Sequence, residues 1–432
     1  MIIIRDDEIE SFIYDIAKPI FDTAGLNSSE IQVYIVQDTT LNAFVTNNKK
    51  LFLHTGLISE LDDVSALIGV IAHEAGHIAE GHFLKMSDNL IAAVQNMTLT
   101  SIAAILAGAA ANSPEVTAGI ILGQYNVQHR LLLSYSRTQE YAADRASAKY
   151  LAKLGVSMQP MIDLLKKIAA SNDGDLYSNE GQYLATHPSS VSRINALQSF
   201  ITPKKQQPVY DYKDLQRRYE LLNAKLKCFA EQNNNSCNKV INGKNAEATK
   251  YANAINYYNH DDTKMVLAQI DELMRINPKS PYYNELKGDV LYKNGNFLSA
   301  VSYYKKALKL QKDSSKFVNG IRLQLAVALL AVGDKHLISK ALSFIREIVV
   351  RDSKNIEAFK QLSIAYFKLD NEYMANLALA KNAILKSDKS LAKRLLKIAE
   401  CSKHSINDNK QAKIIGIDKD SLSKDLDVME QS

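Results

Sequence analysis

Tryptophan is absent, cysteine occurs only three times, and neither sign of charge dominates. The missing tryptophan reflects compositional drift and says little about mechanism. A net charge of +5 is small for 432 residues and is spread along the chain, so it argues for neither nucleic acid nor a strongly anionic partner. No cysteine stands in a metal-ligand pattern. Cys228 and Cys237 flank a Gln/Asn-rich loop, so a pair in an oxidising compartment and two free thiols both stay open, with Cys401 left over. The N-terminus, Met1 to Ile4 followed by Arg5, Asp6, Asp7 and Glu8, has neither the basic leader nor the apolar run of a signal peptide. On this reading the protein stays inside the cell, in the cytoplasm, or a leader lies upstream. The apolar run from Leu99 to Ala111 falls short of the roughly 20 residues of a membrane span. It reads as core or as a flap over a cleft, with peripheral insertion into a membrane surface the weaker alternative. What remains, 46% hydrophobic and 23% charged, is the composition of a globular protein, and its length suggests about two or three domains.

Against that background one stretch stands out, Ala72-His73-Glu74-Ala75-Gly76-His77. On a helix, residues four apart lie on one face, so His73 and His77 can direct both imidazoles at one cation. Glu74 flanks that cation and can accept a proton from an activated water, the geometry of a zinc peptidase. The surrounding Val64, Leu67, Ile68, Val70, Ile71, Ala75 and Ile78 make the helix apolar and buried, with Asp62 and Asp63 at its start. The bland alternative is a core helix whose histidines merely satisfy hydrogen bonds. A catalytic zinc needs a third protein ligand. A metzincin would place a histidine at position 83, which is Phe, and a glycine at position 80, which is Glu; His82 is one residue out of register. Glu140, in Ser136-Arg-Thr-Gln-Glu140-Tyr-Ala-Ala-Asp144, is the preferred third ligand. Asp144, four residues on, is then the acceptor behind a histidine N–H. A solvated helix face is the plain alternative for both.

Other elements follow in order. Residues 7–25 read as a helix, 31–36, 42–46 and 50–55 as strands, and 90–133 as a helical hairpin broken at Asn112-Ser113-Pro114. A sheet edge beside a metal site can hold an extended peptide through backbone hydrogen bonds. In Thr186-His187-Pro188-Ser-Ser-Val-Ser-Arg193, His187 precedes a proline and is pushed toward an extended conformation, while Ser189 or Ser190 can cap the helix carrying Arg193. Residues 202–212 resemble a linker. After a helix from 215 to 230 and an Asn-rich loop around 233–245, two units of 34 residues align Asp261 with Gly295, Ile270 with Tyr304 and Leu273 with Ala307. That period is the tetratricopeptide signature, and two looser units follow near 317–353 and 355–388.

As a set, Asn42-Ala-Phe, Thr55-Gly-Leu, His73-Glu-Ala-Gly-His77, Ser136-Arg-Thr-Gln-Glu140 with Asp144, and Thr186-His187-Pro188 with Arg193 resemble the zinc peptidase family of HtpX and the CAAX prenyl protease. The likeness extends to its bacterial BepA-like branch, which carries a C-terminal tetratricopeptide array. The resemblance implies an α+β fold, with a mainly helical gluzincin-type domain and small sheet at 1–202, a linker and connecting helix at 203–245, an all-α repeat solenoid at 246–404 and a polar, flexible tail at 405–432. It implies one zinc ion held by His73, His77 and Glu140, Glu74 as general base, His187 as a loop histidine able to close the fourth coordination site, and Arg193 among the catalytic groups. The strand Asn42, Ala43, Phe44 and Val45 would border the substrate cleft. Substrates would be misfolded or stalled proteins in the periplasm, with the repeats docking clients or the outer-membrane assembly machinery. Two rivals are a chaperone or docking scaffold with little proteolysis, and a membrane-bound processing protease, which the lack of a long apolar run disfavours.

Overall fold

The computed structural model describes residues 2–46, 49–82, 136–170, 187, 191–200, 208–229, 234–241, 243, 245–311, 317–403 and 406–431. The chain divides into two units, Met1–Val240 and Ile241–Ser432. The apolar stretch at 90–133, the turn Asn47-Asn48 and the caps Ser189 and Ser190 lie outside the described residues.

In the first unit, Asp6 caps helix α1 (Asp7–Thr23) by accepting the backbone N–H groups of Glu8 and Ile9. Its Ile9, Phe12, Ile13, Ile16 and Ile20 repeat at helical spacing and are buried. Four strands follow the order β1-β2-β4-β3: β1 (Ile3–Ile4), β2 (Gln32–Val36), β3 (Ala43–Thr46) and β4 (Lys50–His54). Alternation in the sequence locates three of them. The two-residue β1 is too short to show a period, and the parallel pairing of β2 with β4 is a non-local choice. One sheet face presents Ala43, Val45, Leu51 and Leu53 to the core, while Phe44 stacks on Phe52, and Phe52 on Tyr34, across the other. Among the described residues the strand order leaves β3 at an edge.

A short helix α2 (Thr55–Glu60) leads into α3 (Val64–Ala79), where Asp63 caps from just outside the helix rather than in its first turn. Val64, Leu67, Ile68, Val70 and Ile71 are sealed in by α1, by α4 (Arg137–Leu154) and by α5 (Gln159–Ala170). Helix α6 (Val191–Ser199) packs against α4 and α5. The helix read as a connecting one contributes to this core. Helix α7 (Tyr212–Phe229) buries Leu215, Tyr219, Leu222 and Leu226, and the Tyr219 hydroxyl donates to the Ile58 carbonyl at 2.6 Å. Within the Asn-rich loop lies α8 (Asn234–Ile241), tied to α7 by a Cys228–Cys237 disulfide.

The second unit is helical throughout its described residues, a solenoid-like packing of consecutive pairs. The pairs are α9 (Ala246–Asn259) with α10 (Thr263–Ile276), α11 (Pro281–Lys293) with α12 (Phe297–Leu310), α13 (Asn319–Val332) with α14 (Lys335–Arg351), and α15 (Ile356–Lys368) with α16 (Glu372–Leu385). Each pair turns through one left-handed residue: Asp261 (φ 58°), Gly295 (φ 77°), Gly333 (φ 84°) and Asp370 (φ 59°). Glycine and aspartate are residue types that enter this region at low cost, so the repeat is written in the turns as well as in the helices. Helix α17 (Lys389–Cys401) adds a further layer. The tail expected to fray forms α18 (Ile406–Ile414) and α19 (Lys419–Gln431), which pack on α16 and α17. A sparse stripe of Ala412, Ile415, Ile417, Leu422 and Leu426, hidden in polar surroundings, is buried there.

The disulfide generates a prediction. Purified under oxidising conditions, the denatured chain should titrate with one thiol, Cys401, and weigh about 2 Da less than the reduced chain. Replacing Cys228 and Cys237 together with Ser should cost about 3 kcal/mol, the closure entropy of so short a loop. Three titrating thiols would refute the pairing.

Candidate metal centre

The site is assembled where α3 meets α4. A Cβ on Gly76 would lie 2.9 Å from the Ala143 carbonyl oxygen, so the two backbones touch there and only glycine fits without displacement. That approach places Glu140 and Asp144 of α4 opposite His73 and His77 of α3. The start of α4 is fixed by a capping box, in which the Ser136 hydroxyl accepts the Gln139 N–H and the Gln139 side chain accepts the Ser136 N–H. Glu140 thereby falls in the first helical turn.

His73, His77, Glu140 and His187 converge, with one ligand atom from each lying within 4.8 Å of all the others. The Nε2 atoms of His73 and His77 face each other at 3.0 Å. Glu140 Oε2 lies 3.4 Å from His73 Nε2, and its Oε1 is 3.3 Å from His77 Nε2. Zinc bonds of 2.0–2.1 Å in a tetrahedron give edges of about 3.3 Å, which these separations match. His187 supplies a fourth corner. Its Nε2 donates to the Ala43 carbonyl at 3.1 Å, so in the neutral ring Nδ1 carries a lone pair. That lone pair lies 3.0 Å from Glu140 Oε1, another acceptor, and two acceptors at that distance call for a shared cation. The donor set therefore fits a divalent metal.

Behind these groups, His73 Nδ1 meets Asp144 Oδ1 at 2.9 Å. Arg193 donates from Nε and Nη2 to the two Asp144 oxygens at 2.6 and 3.0 Å, and its Nη1 lies 2.5 Å from Glu140 Oε2. It thus pairs with both carboxylates at once. Glu74 is buried, and neither of its oxygens accepts a hydrogen bond among the described residues; Oε1 is 3.3 Å from His187 Nε2. Burial raises its carboxyl above the usual range, only partly opposed by His187 and His73. Burial acts in the same direction on Glu140, but there His187 and His73 outweigh it and hold the carboxyl well below the usual range. At His73 burial is overcome by Glu140 and Asp144, pushing the imidazole up to about 10. At His77 burial outweighs the opposing pull of Glu140 and holds the imidazole well below the usual range. The carboxylates of the cluster thus favour a positive charge beside them.

Of the residues singled out in the sequence, His73, Glu74, His77, Glu140, Asp144, His187 and Arg193 all meet here. The strand Asn42–Val45 touches the site through Ala43. Because His54 N–H donates to the Asn42 carbonyl, alternation turns the Ala43 carbonyl to the outer edge of β3, where His187 takes it. One participant was set aside on register: His82, buried, with its Nδ1 3.0 Å from His77 Nδ1. Its spacing excluded it as a ligand but left its contact with a ligand unseen.

Comparison with known proteins agrees with this geometry. Residues 4–201 match peptidase family M48 and form a domain of that family. The chain is 28% identical over 199 residues to a putative beta-barrel assembly-enhancing protease of Vibrio cholerae, covering 44% of this chain and 39% of that protein. It is 22% identical over 323 residues to a beta-barrel assembly-enhancing protease of Yersinia pestis, covering 72% of this chain and 64% of that one. Against the protease HtpX of Cellvibrio japonicus the identity is 28% over 217 residues, 44% of this chain and 71% of that one. The chain therefore spans less than two thirds of the length of the two assembly-enhancing relatives.

The contact at Gly76 carries its own test. Gly76→Ala should cost about 1–3 kcal/mol by overpacking and, by displacing α4, weaken metal binding about 10-fold in a chelator competition. Native affinity in that variant would show that the helix approach does not set the ligand spacing.

Proposed function

We propose that the M48 domain of this chain is a zinc-dependent endopeptidase acting on misfolded or stalled proteins. The observation that carries the reading is the convergence of His73 Nε2, His77 Nε2 and Glu140 beside a buried Glu74 carboxylate whose oxygens are not engaged in hydrogen bonds. His73, His77 and Glu140 would hold the metal, with Asp144 fixing the His73 ring and Arg193 holding Glu140 and Asp144 in place. Arg193 is on this view a positioning residue. Zinc bound there supplies Lewis acidity, acidifying water and polarising the scissile carbonyl. Glu74 takes the proton from the attacking water and returns it to the leaving amine, ending as it began.

An extended substrate would pair with the edge strand β3, through the backbone groups that face outward beside the site. His187 occupies one of them, the Ala43 carbonyl, and also closes the fourth corner of the ligand set. Catalysis needs that corner open, so this arrangement is the resting, self-inhibited form, and substrate entry displaces the imidazole.

The helical pairs with left-handed turns support a tetratricopeptide array, suited to docking clients or an assembly partner. The likeness to the assembly-enhancing relatives supports a role in envelope protein quality control. A Cys228–Cys237 pair suits the oxidising periplasm, and no described helix is long and apolar enough to cross a membrane. The second reading, a chaperone or docking scaffold with little proteolysis, draws on the same repeats.

Glu74→Gln should retain one zinc per chain and lose cleavage of an unfolded protein by about 100-fold or more; retained proteolysis would sink the enzyme reading. If that variant still supports client assembly in full, the scaffold reading takes precedence. His187→Ala should keep zinc and cleave faster than the native chain, whereas slower cleavage at full zinc occupancy would recast His187 as a transition-state donor.

A further inference from the structure

His82 is not among the four converging side chains, yet it touches one of them. Its Nδ1 lies 3.0 Å from His77 Nδ1, and the rings meet edge to face with centroids 5.1 Å apart. It is 4% exposed. Two Nδ1 atoms at that distance share a single proton, so one ring donates and the other accepts. The rest of the His77 ring decides which. Its Nε2 faces His73 Nε2 at 3.0 Å and Glu140 Oε1 at 3.3 Å, where a metal ligand presents a lone pair. A neutral imidazole with its lone pair on Nε2 carries its hydrogen on Nδ1. We propose that His82 is a positioning residue for His77: its Nδ1 accepts the His77 Nδ1–H and holds the ring in the tautomer and orientation that aim Nε2 at the cation. The inference rests on the metallopeptidase reading above.

The backbone is built to deliver this contact. Gly81, at φ 62°, ends α3 in the left-handed region and turns the chain so that residue 82 returns across the last helical turn. The His82 carbonyl then accepts from Gln139 Nε2 at 3.3 Å, and Gln139 is the side chain that completes the capping box of α4. One residue thus joins the end of the helix bearing His77 to the start of the helix bearing Glu140. The chemistry of the acceptor also fits its place. His73 is backed by the carboxylate of Asp144, and the site already buries Glu74 and Glu140. A neutral imidazole behind His77 orients the second ligand without adding a fourth buried negative charge.

The test uses the full chain and zinc itself. His82→Leu removes the acceptor while keeping bulk, and His82→Asn restores an acceptor oxygen near the place of Nδ1. Chelator competition should show zinc affinity reduced about 10- to 100-fold in the Leu variant and largely recovered in the Asn variant, with the melting midpoint of the metal-free chain unchanged in both. Native affinity in the Leu variant, or equal loss in both variants, overturns the proposal and makes His82 a packing residue. Should the Leu variant not fold, the nitrogen chemical shifts of His77 in the zinc-loaded native chain decide: hydrogen on Nδ1 supports the proposal and hydrogen on Nε2 overturns it. A native chain that takes up no zinc overturns the metallopeptidase reading, and this inference with it. Native zinc binding with an unaffected Leu variant overturns this inference alone.

Discussion

The backbone contact between α3 and α4 at Gly76 and Ala143 is the constraint on which the first unit depends. Imidazoles and carboxylates reach only a few ångströms from their helices, so a shared coordination sphere requires the helices themselves to touch. A side chain at position 76 would open that distance and separate Glu140 from the two histidines. The apolar face of α3, sealed by α1 and α5, then acts as the wall that holds the contact together.

The cost of the arrangement is the burial of Glu74, Glu140, Asp144 and Arg193, each removed from water. Buried charges are tolerated only when paired or when they coordinate a metal. Arg193 answers Asp144 and Glu140 together, and the imidazoles answer the rest. Glu74 differs in that neither of its oxygens accepts a hydrogen bond among the described residues, although the His187 ring lies 3.3 Å from Oε1. His187 ties this pocket to the sheet, because one ring contacts both Glu140 and the outward carbonyl of Ala43.

The second unit follows a different logic. Each helical pair buries its small and aromatic residues against the next, and each turn passes through one left-handed residue. A local rule repeated along the chain builds the core of this unit, and α18 and α19 add to it. Those helices escape a composition-based reading because so few of their residues are apolar. The burial of Ile417 and Leu422 needs the neighbouring layer to exist first.

What could be read from the chain alone was what is local and periodic. The four-residue spacing of His73 and His77 defines a helix face, Glu140 and Asp144 share another, the strands alternate, and the repeat recurs because its pairs obey the same packing rule. The chain order also excluded a histidine ligand at position 83. What only tertiary structure decided was non-local. It paired β2 with β4, leaving β3 at an edge among the described residues; it drew α7 into the first core; it joined Cys228 to Cys237; and it set Arg193 against both carboxylates and His187 across Ala43. His82 shows the difference most clearly, because a five-residue spacing matches no helical face. It reaches His77 only after Gly81 reverses the backbone, a contact made by a turn rather than by a period.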